Sequence, residues 1–204
     1  MSYTITTEEQ LAALFGTVGE AALVKETPYL HPIYQQWINS SPFAILATVG
    51  PGGLTVSPRG DPAPLVRIVN DKKILLPERR GNNRVDGLKN ILSDSRVALI
   101  FFVPGVRETV RVNGRASITV EPAILQTFSV NGAQPKCVLD IEVDSVFYQC
   151  GRALLRSNLW DPNGIQPPEG VPSAGMILSS LSSSSIGGEA YDRELPSRQR
   201  NSLY

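Results

Sequence analysis

The chain has 204 residues, of which 42% are hydrophobic and 19% charged, so it is long and apolar enough to bury one sizeable core. Its 19 basic residues balance its 19 acidic residues, and this neutrality gives no reason to expect nucleic acid or an anionic membrane as a partner. No apolar run reaches the length of a membrane span, and the N-terminus is acidic where a signal peptide would be basic, so we expect a cytoplasmic protein.

Helix signals open the chain and strand signals follow them. The stretch TTEEQLAALFG has a capping-box pattern before apolar residues, which predicts a first helix, and a second short helix is predicted from Ile33 to Asn39. FAILATV and LTVS flank a turn rich in glycine, and LVRIV and KILLP flank Asn70 and Asp71. Both arrangements predict β-hairpins.

A helix is predicted from Asn83, because apolar side chains recur at helical spacing from Val85 to Leu92. RVALIFFV, ETVRVNGRASITV and CVLDIEVDSVFYQC predict further strands, with a short helix after Pro122. Asn113 and Gly114 are compatible with either a hairpin turn or a bend in one long strand. Six or seven antiparallel strands with flanking helices, without regular alternation of the two, favour a closed or half-closed β-barrel.

The segment from Pro162 onward differs in composition, with the stretch PNGIQPPEG and a serine run. Composition alone would allow disorder, but apolar side chains spread through the segment could anchor it to another surface. We therefore expect a barrel domain with N-terminal helices over residues 1–161 and an extension over residues 162–204 that docks on the barrel or on a second subunit. The anchoring candidates are Ile177, Leu178, Leu181, Tyr191, Leu195, Leu203 and Tyr204.

Nucleophilic and metal chemistry have few candidates in this sequence. The single histidine, His31, precedes a proline far from any nucleophile pattern, so no catalytic triad is expected. Cys137 and Cys150 match no metal or redox spacing. We expect both to be small core residues, and we expect no metal site. The carboxylate of Glu78 lies at a turn, where capping or solvation would explain it. No glycine pattern of a phosphate loop or dinucleotide site occurs.

Arginines provide the clearest functional signal. Arg79, Arg80 and Arg84 crowd the predicted helix start, where the helix dipole favours anions over cations, so a bound anion would explain them. Arginine side chains carry forked donors that suit a phosphate, and hydroxyl and aromatic groups occur near several of them. In VRETVRV, alternate residues from Arg107 to Arg111 would share one face of a strand. The candidate set is Ser57, Arg59, Arg80, Asn83, Arg84, Arg107, Thr109, Arg111, Arg156, Ser157 and Trp160.

The joined pattern of these motifs resembles a known family. The stretch SPRGDPAPLVRIVNDKKILLPERRGNNRVDGLKNILSDSRVALIFFVPGVRETVRVNGRA, followed by ALLRSNLWDP, is similar to the pyridoxamine 5'-phosphate oxidase-like family, and most closely to a bacterial branch of it. The similarity extends over most of the chain. It implies a split β-barrel that forms a homodimer and holds FMN in clefts between the two subunits, with basic residues around the phosphate. It also favours the bent-strand interpretation of Asn113 and Gly114.

The resemblance also implies roles for individual residues. Asn83 and Arg84, with Arg80 near them, occupy the place where family members bind the phosphate. The strand RETVRV resembles a family strand whose polar side chains approach the flavin, although Glu108 and Thr109 replace its glutamine. RSNLW lies where a late segment reaches the flavin, often from the other subunit. The late arginine and histidine pattern of the vitamin B6 oxidases is missing, so activity on pyridoxamine phosphate is not expected.

The function implied by the resemblance is an FMN-dependent oxidoreductase that transfers hydride or electrons to or from a small molecule. Two alternatives stay open at this point. One is a non-enzymatic flavin-binding or flavin-sensing module, and the other is a haem or deazaflavin binder on the same fold. The expected partners are a small-molecule substrate or electron donor and a second copy of the chain, with no nucleic acid and no membrane.

Overall fold

The computed structural model describes residues 3–164 and 169–204, and its described part contains seven strands and eight α-helices. The strands are β1 (Phe43–Gly50), β2 (Gly53–Gly60), β3 (Arg67–Asn70), β4 (Lys73–Glu78), β5 (Arg96–Phe102), β6 (Thr109–Thr119) and β7 (Cys137–Gln149). The helices are α1 (Glu8–Phe15), α2 (Glu20–Val24), α3 (Pro32–Asn39), α4 (Asp86–Ser93), α5 (Pro122–Gln126), α6 (Arg152–Ser157), α7 (Ala174–Leu181) and α8 (Gly188–Arg200), with a 3₁₀ turn at Pro162–Gly164.

The strands form one antiparallel sheet in the order β2-β1-β5-β6-β7-β4-β3. Both predicted hairpins are present. β1 and β2 are joined at the Gly50–Gly53 pair, where Gly53 has a positive φ of 102° that suits glycine. The first helix is also confirmed, because Thr7 caps α1 by accepting a hydrogen bond from the Gln10 amide.

One face of the sheet, the inner face, carries the hydrophobic core. Leu46 of β1, Phe101 of β5 and Val110 of β6 are almost fully buried and lie on this face together with Ile141 of β7. Ile38 of α3 and Ile91 of α4 belong to the same core cluster. Asn90 of α4 donates hydrogen bonds to the hydroxyls of Thr48 and Thr55, which attaches that helix to β1 and β2.

β6 is one long strand with an irregularity at Asn113 and Gly114, as the bent-strand interpretation predicts. Asn113 pairs with Ser145 and Gly114 with Val143, so Asp144 is left as an extra residue on β7. A Cβ atom on Gly114 would lie 2.2 Å from the Glu142 carbonyl oxygen. Glycine is therefore required here by the close approach of the two backbones.

The helix predicted from Asn83 begins three residues later, at Asp86. Asn83 and Val85 have positive φ angles of 60° and 50°, which an α-helix does not allow. The arginines therefore lie in the loop before the helix, and the residue in its first turn is the acidic Asp86. Arg84 donates a hydrogen bond to this carboxylate across 2.9 Å. The unfavourable placement of cations inside a helix start, which the sequence suggested, does not occur.

The opposite, outer face of β2, β1 and β5 is apolar, and none of the described elements forms a covering layer over it. Leu54 and Val56 of β2 are 83% and 69% exposed, and Phe43 of β1 is 39% exposed. Their neighbours across the strands are also apolar and only partly buried: Ile45, Ala47, Ala98, Ile100 and Phe102. The N-terminal helices α1 and α2 likewise contain no buried residue.

The extension folds into a helical hairpin, α7 and α8, over the part that the structure describes. Asp192 of α8 joins the two helices by accepting hydrogen bonds from the Ser173 hydroxyl and the Gly175 amide, at 2.5 and 2.6 Å. The boundary at residue 162 stays a prediction.

Candidate functional site

A cleft of about 820 Å³ lies between the C-terminal ends of β2 and β4, the loop after β4, and the last residues of the chain. Its lining residues include four arginines. The lining residues are Pro58, Arg59, Gly60, Leu65, Pro77, Glu78, Arg79, Arg80, Gly81, Asn82, Arg198, Gln199, Ser202, Leu203 and Tyr204. Two residues of the candidate set, Arg59 and Arg80, are therefore in this cleft.

Arg59 and Glu78 form a largely buried ion pair on the cleft wall, with Nη2 and Oε2 3.0 Å apart. Their side chains are 16% and 20% exposed. Neither Arg59 Nε nor Glu78 Oε2 has a hydrogen-bond partner among the described residues. Burial raises the pKa of Glu78 above its ordinary value, and the nearby Arg59 charge opposes this shift. The expectation that Glu78 is a capping or solvated carboxylate is thus wrong, because the end of β4 faces β2 across the cleft.

Arg79, the next residue, is fully engaged in a different network. It donates from Nε to Asp61 Oδ2 at 2.7 Å and from Nη1 to the Phe128 carbonyl oxygen at 2.8 Å. The Tyr204 hydroxyl donates to the other Asp61 oxygen at 3.0 Å, and the Arg79 guanidinium lies 5.2 Å from the Tyr204 ring centroid. This network fastens the end of the chain to the barrel at the edge of the cleft.

The loop after the network carries the other phosphate candidates. Arg80 is exposed and forms no ion pair with any residue in the described part of the chain. Asn83 and Arg84 follow the lining residue Asn82, whose side chain accepts a hydrogen bond from the Arg84 amide at 3.1 Å. Ser57 is half-buried on β2, two residues before Arg59 and on the same side of the strand. These candidates are near the cleft, but only Arg59 and Arg80 line it.

Thr109 and Arg111 lie on the outer face of β6, beside the exposed apolar strands. Thr109 is buried, and the Arg111 guanidinium stacks 3.9 Å from the centroid of the Phe147 ring. Arg111 Nε is buried and has no hydrogen-bond partner among the described residues. Arg107 is not on the strand, which begins at Thr109, so the predicted alternation holds only for Thr109 and Arg111.

The remaining candidates lie at a second, smaller cavity of about 380 Å³, which Arg107 and Trp160 line together with part of α6. The Trp160 indole donates to the Val106 carbonyl oxygen at 2.8 Å, which holds the residues after α6 against the loop before β6. Arg156 and Ser157 lie exposed at the end of α6, where the Ser157 hydroxyl donates to the Leu154 carbonyl oxygen of the same helix. One chain therefore holds the candidates in three places: at or near the cleft, on the outer face of β6, and around the cavity beside α6.

Glu78 and Tyr204 line the cleft, and Asp61 binds Arg79 and Tyr204 at its edge, but the candidate set omits all three. Asp61 and Glu78 stand within one or two positions of Arg59 and Arg79 in the sequence, so the alternation of charge was a usable signal. No local pattern links Tyr204 to residues that precede it by more than 120 positions.

The histidine and the cysteines, which were not expected to be catalytic, were also located in the structure. His31 caps α3 by accepting a hydrogen bond from the Ile33 amide at Nδ1, 3.3 Å away. Cys137 is buried as expected, but Cys150 is exposed, and both thiols are free. Within residues 3–164 and 169–204, no group of three or more histidine, cysteine or acidic residues could hold a metal ion. None of the helices in the same ranges combines the length and the apolarity needed to cross a membrane.

Comparison with known proteins decides the family. The family model described as pyridoxamine 5'-phosphate oxidase matches residues 30–150, which is more than half of the chain. The protein belongs to the pyridoxamine 5'-phosphate oxidase family. The match begins just before α3 and ends just after β7, so it contains the whole sheet and the loop of the arginines. The seven antiparallel strands with flanking helices are the split β-barrel of this family, as the resemblance implied.

Solved structures with a similar fold include HupZ of Group A Streptococcus, which is 24% identical, with 56% of this chain and 90% of that chain covered and a TM-score of 0.46. A putative pyridoxamine 5'-phosphate oxidase from Lactobacillus delbrueckii is 22% identical, with 59% and 95% covered and a TM-score of 0.46. An FMN-binding protein from Syntrophomonas wolfei is 11% identical, with 54% and 78% covered and a TM-score of 0.42. No curated protein matches the chain. Because these TM-scores are below 0.5, the family assignment rests on the family model alone.

Proposed function

We propose that this family member binds FMN at an interface between two copies of the chain and acts as an FMN-dependent oxidoreductase on a small molecule. The observation that carries the proposal is the arginine-lined cleft, in which Arg59 keeps an unpartnered buried Nε and Arg80 is free of any ion pair within the described residues. Family membership supports the choice of FMN as the ligand.

The donors of the cleft suit the phosphate of FMN. Guanidinium groups bind phosphate oxygens through charge-assisted, often bidentate hydrogen bonds, and a buried donor without a partner is costly unless a ligand satisfies it. Arg59 Nε is such a donor. Arg80 and the amide of Asn82 lie on the same cleft and would add donors from the loop. Arg79 is excluded from this role because Asp61 and Phe128 already use its guanidinium.

Two observations support a homodimer. The chain has an accessible surface of 13729 Å², whereas a compact monomer of 22.1 kDa is expected to expose only about 9,300 Å². The outer face of β2, β1 and β5 is a contiguous apolar surface of the kind that marks a protein interface. A twofold arrangement would cover this face with the same face of the partner.

Such a dimer would also bring together the groups that one chain keeps apart. Arg111 Nε is buried beside the apolar outer face and has no hydrogen-bond partner in the described part of the chain, so a ligand or partner group at the interface would satisfy it. The cavity of Arg107 and Trp160 would face the other subunit, in the place where the resemblance expects a late segment to reach the flavin.

FMN, when bound, supplies hydride and electron transfer, and the protein supplies binding, orientation and electrostatics. Arg59 and Arg80 would hold the phosphate. Arg111, which stacks on the Phe147 ring, would place a positive charge near the flavin ring and stabilise negative charge on the flavin. No acid or base from histidine is required, in agreement with the structural role of His31.

The absorption spectrum of the purified protein is the first test. Flavin bands support the proposal, whereas a Soret band would replace it with haem binding. A titration then compares FMN with riboflavin, which lacks the phosphate, in the parent protein and in Arg80→Ala. Arg115→Ala is the control, because Arg115 is an exposed arginine of β6 that does not line the cleft. We expect tighter binding of FMN than of riboflavin, weakened by Arg80→Ala only. Equal affinity for both ligands in all three proteins would refute phosphate recognition by this cleft.

Electron transfer is tested separately, by reduction of the bound flavin with NADH or NADPH and reoxidation by small-molecule acceptors. A protein that binds FMN but catalyses neither half-reaction would be a flavin-binding module and not an enzyme.

A further inference from the structure

Glu78 is an unusual group to find in a cleft that binds an anion. Its carboxylate lies 3.0 Å from the Arg59 guanidinium, its side chain is only 20% exposed, and its Oε2 receives no hydrogen bond from the described residues. Arg59 is thus both the best-placed buried donor for a phosphate and the counter-ion of a buried carboxylate. A phosphate that binds the free Nε of Arg59 shares the positive charge of the guanidinium with Glu78.

Few other groups around Glu78 could replace Arg59 as a counter-ion. Arg79, adjacent in the chain, is occupied by Asp61. On β7 the residue paired with Glu78 is Cys137, whose buried thiol has a raised pKa and stays neutral. Two further groups line the cleft, the Tyr204 phenol, already bonded to Asp61, and Arg198 of α8, whose guanidinium stacks 4.3 Å from the Tyr191 ring centroid. Exposed Arg80 lies on the same cleft but is assigned to the anion.

A buried carboxylate that loses its counter-ion is destabilised in its charged form, and the least costly response is to bind a proton. In the free protein, the pKa of Glu78 is already set by two opposing influences. Burial raises the pKa of Glu78, and the charge of Arg59 is the main influence that lowers it. When a phosphate binds Arg59, that lowering is weakened because the guanidinium is shared, and a negative charge is added nearby.

We propose that Glu78 takes up a proton when a phosphoryl anion binds Arg59, so that the cleft binds its anion together with a proton. This inference rests on the proposed function, since it takes the FMN phosphate as the anion. The neutral carboxyl then has an O–H that can donate to a phosphate oxygen, and the cleft changes from a closed ion pair to a set of donors.

The coupling fixes the sign of the pH dependence. Glu78 has a higher pKa in the bound state than in the free state, so binding tightens as the pH falls between the two values. One proton gives at most a tenfold change in affinity per pH unit. The ligand contributes with the opposite sign, because a phosphate monoester loses its second proton near pH 6 and arginines favour the dianion. A net uptake of protons on binding therefore cannot come from the ligand.

The test is calorimetry of FMN binding to the full-length protein at pH 6.5, in two phosphate-free buffers of different ionisation enthalpy. The difference in heat gives the number of protons bound. We expect net proton uptake by the parent protein, and none, or a small release, by Glu78→Gln. The uncharged glutamine keeps the shape of the side chain but no longer competes for Arg59, so this variant should also bind FMN more tightly at pH 8.

Each other outcome overturns the inference in a recognisable way. If the parent takes up no proton while FMN binds, the inference fails and FMN binding stands, and the parent alone gives this answer even if the variant does not fold. If Glu78→Gln lowers the melting temperature but keeps the proton uptake of the parent, Glu78 only ties β2 to β4. If FMN does not bind at any pH, both the inference and the proposed function fail.

Discussion

Substitution of Val56 by aspartate tests the interface that the outer face is proposed to form. Val56 is 69% exposed in the single chain and lies at the centre of β2, opposite Ala47 of β1. Because the side chain contacts little within its own subunit, the substitution should leave the stability of the subunit nearly unchanged. Any large effect should therefore appear in association.

The size of that effect follows from burial. Covering a fully exposed valine side chain is worth about 1.5 to 3 kcal/mol. Val56 is 69% exposed in the single chain, so covering it is worth about 1 to 2 kcal/mol, and a twofold interface contains it twice, which makes the lost burial about 2 to 4 kcal/mol of dimer stability. At about 1.4 kcal/mol per factor of ten, dimer dissociation should become about 30 to 700 times more favourable. Desolvation of two aspartates would add to this.

Sedimentation equilibrium over a range of concentrations measures the dissociation constant of the dimer directly. The control is Val69→Asp, because Val69 is 51% exposed on β3, at the opposite end of the strand order. We expect Val56→Asp to shift the protein toward its 22.1 kDa monomer and the control to leave the dimer intact. An equally tight dimer in both variants would show that the outer face is not the interface. A monomeric parent protein at micromolar concentration would refute the dimer itself.

Three further predictions concern the loop, the helix attachment and the extension. Arg84→Ala should weaken FMN binding by about 1.5 to 3 kcal/mol in a fluorescence titration through loss of charge-assisted bonds, and unchanged affinity would exclude Arg84 from the site. Asn90→Ala should lower the free energy of unfolding by about 1 to 3 kcal/mol in denaturant, because it leaves the buried Thr48 hydroxyl without its amide partner; an unchanged midpoint would contradict this. Truncation after Pro172 removes Tyr204 from Asp61 and Arg79 and should lower the melting temperature and speed flavin loss. A truncated protein with the melting curve and flavin retention of the parent would show the extension to be dispensable.

Most of the barrel could be predicted from the sequence because its signals are local. Alternating apolar residues and turn residues marked each hairpin, and each of these signals spans fewer than twenty residues. The bend at Gly114 was ambiguous for a physical reason. Whether an Asn-Gly pair turns the chain or bends it depends on the partner strand, and here the Glu142 carbonyl leaves no space for a side chain.

The predicted start of α4 was wrong. The apolar spacing from Val85 onward is that of a helix, but the backbone before Asp86 is not helical. Asn83 and Val85 have positive φ angles, and Val85, directly before α4, is in the left-handed conformation. Asparagine tolerates this conformation and valine rarely adopts it, so nothing in the sequence indicated a left-handed valine. Such a residue persists only where the surrounding structure compensates for its strain, and strain of this kind is common at binding sites.

The candidate site was harder to predict, because each arginine has a role that its neighbours in space determine. Arg59 and Arg79 look equivalent in the sequence, since each is followed or preceded closely by an acidic residue. In the structure Asp61 receives bonds from both Arg79 and Tyr204, so that arginine is already satisfied. Glu78 Oε2 and Arg59 Nε both lack a hydrogen-bond partner among the described residues, so Arg59 keeps a free donor.

This contrast explains how a chain without net charge could still present the proposed anion site. What matters is whether the carboxylate opposite an arginine has enough donors to keep that arginine in place. A satisfied carboxylate makes a structural pair, as Asp61 does with Arg79, because breaking it would leave several buried groups without partners. An unsatisfied carboxylate such as Glu78 makes a pair that a better anion can displace, provided that the carboxylate can be neutralised by a proton. Recognition of the ligand at this cleft would then depend as much on the weak acid beside Arg59 as on the arginine itself.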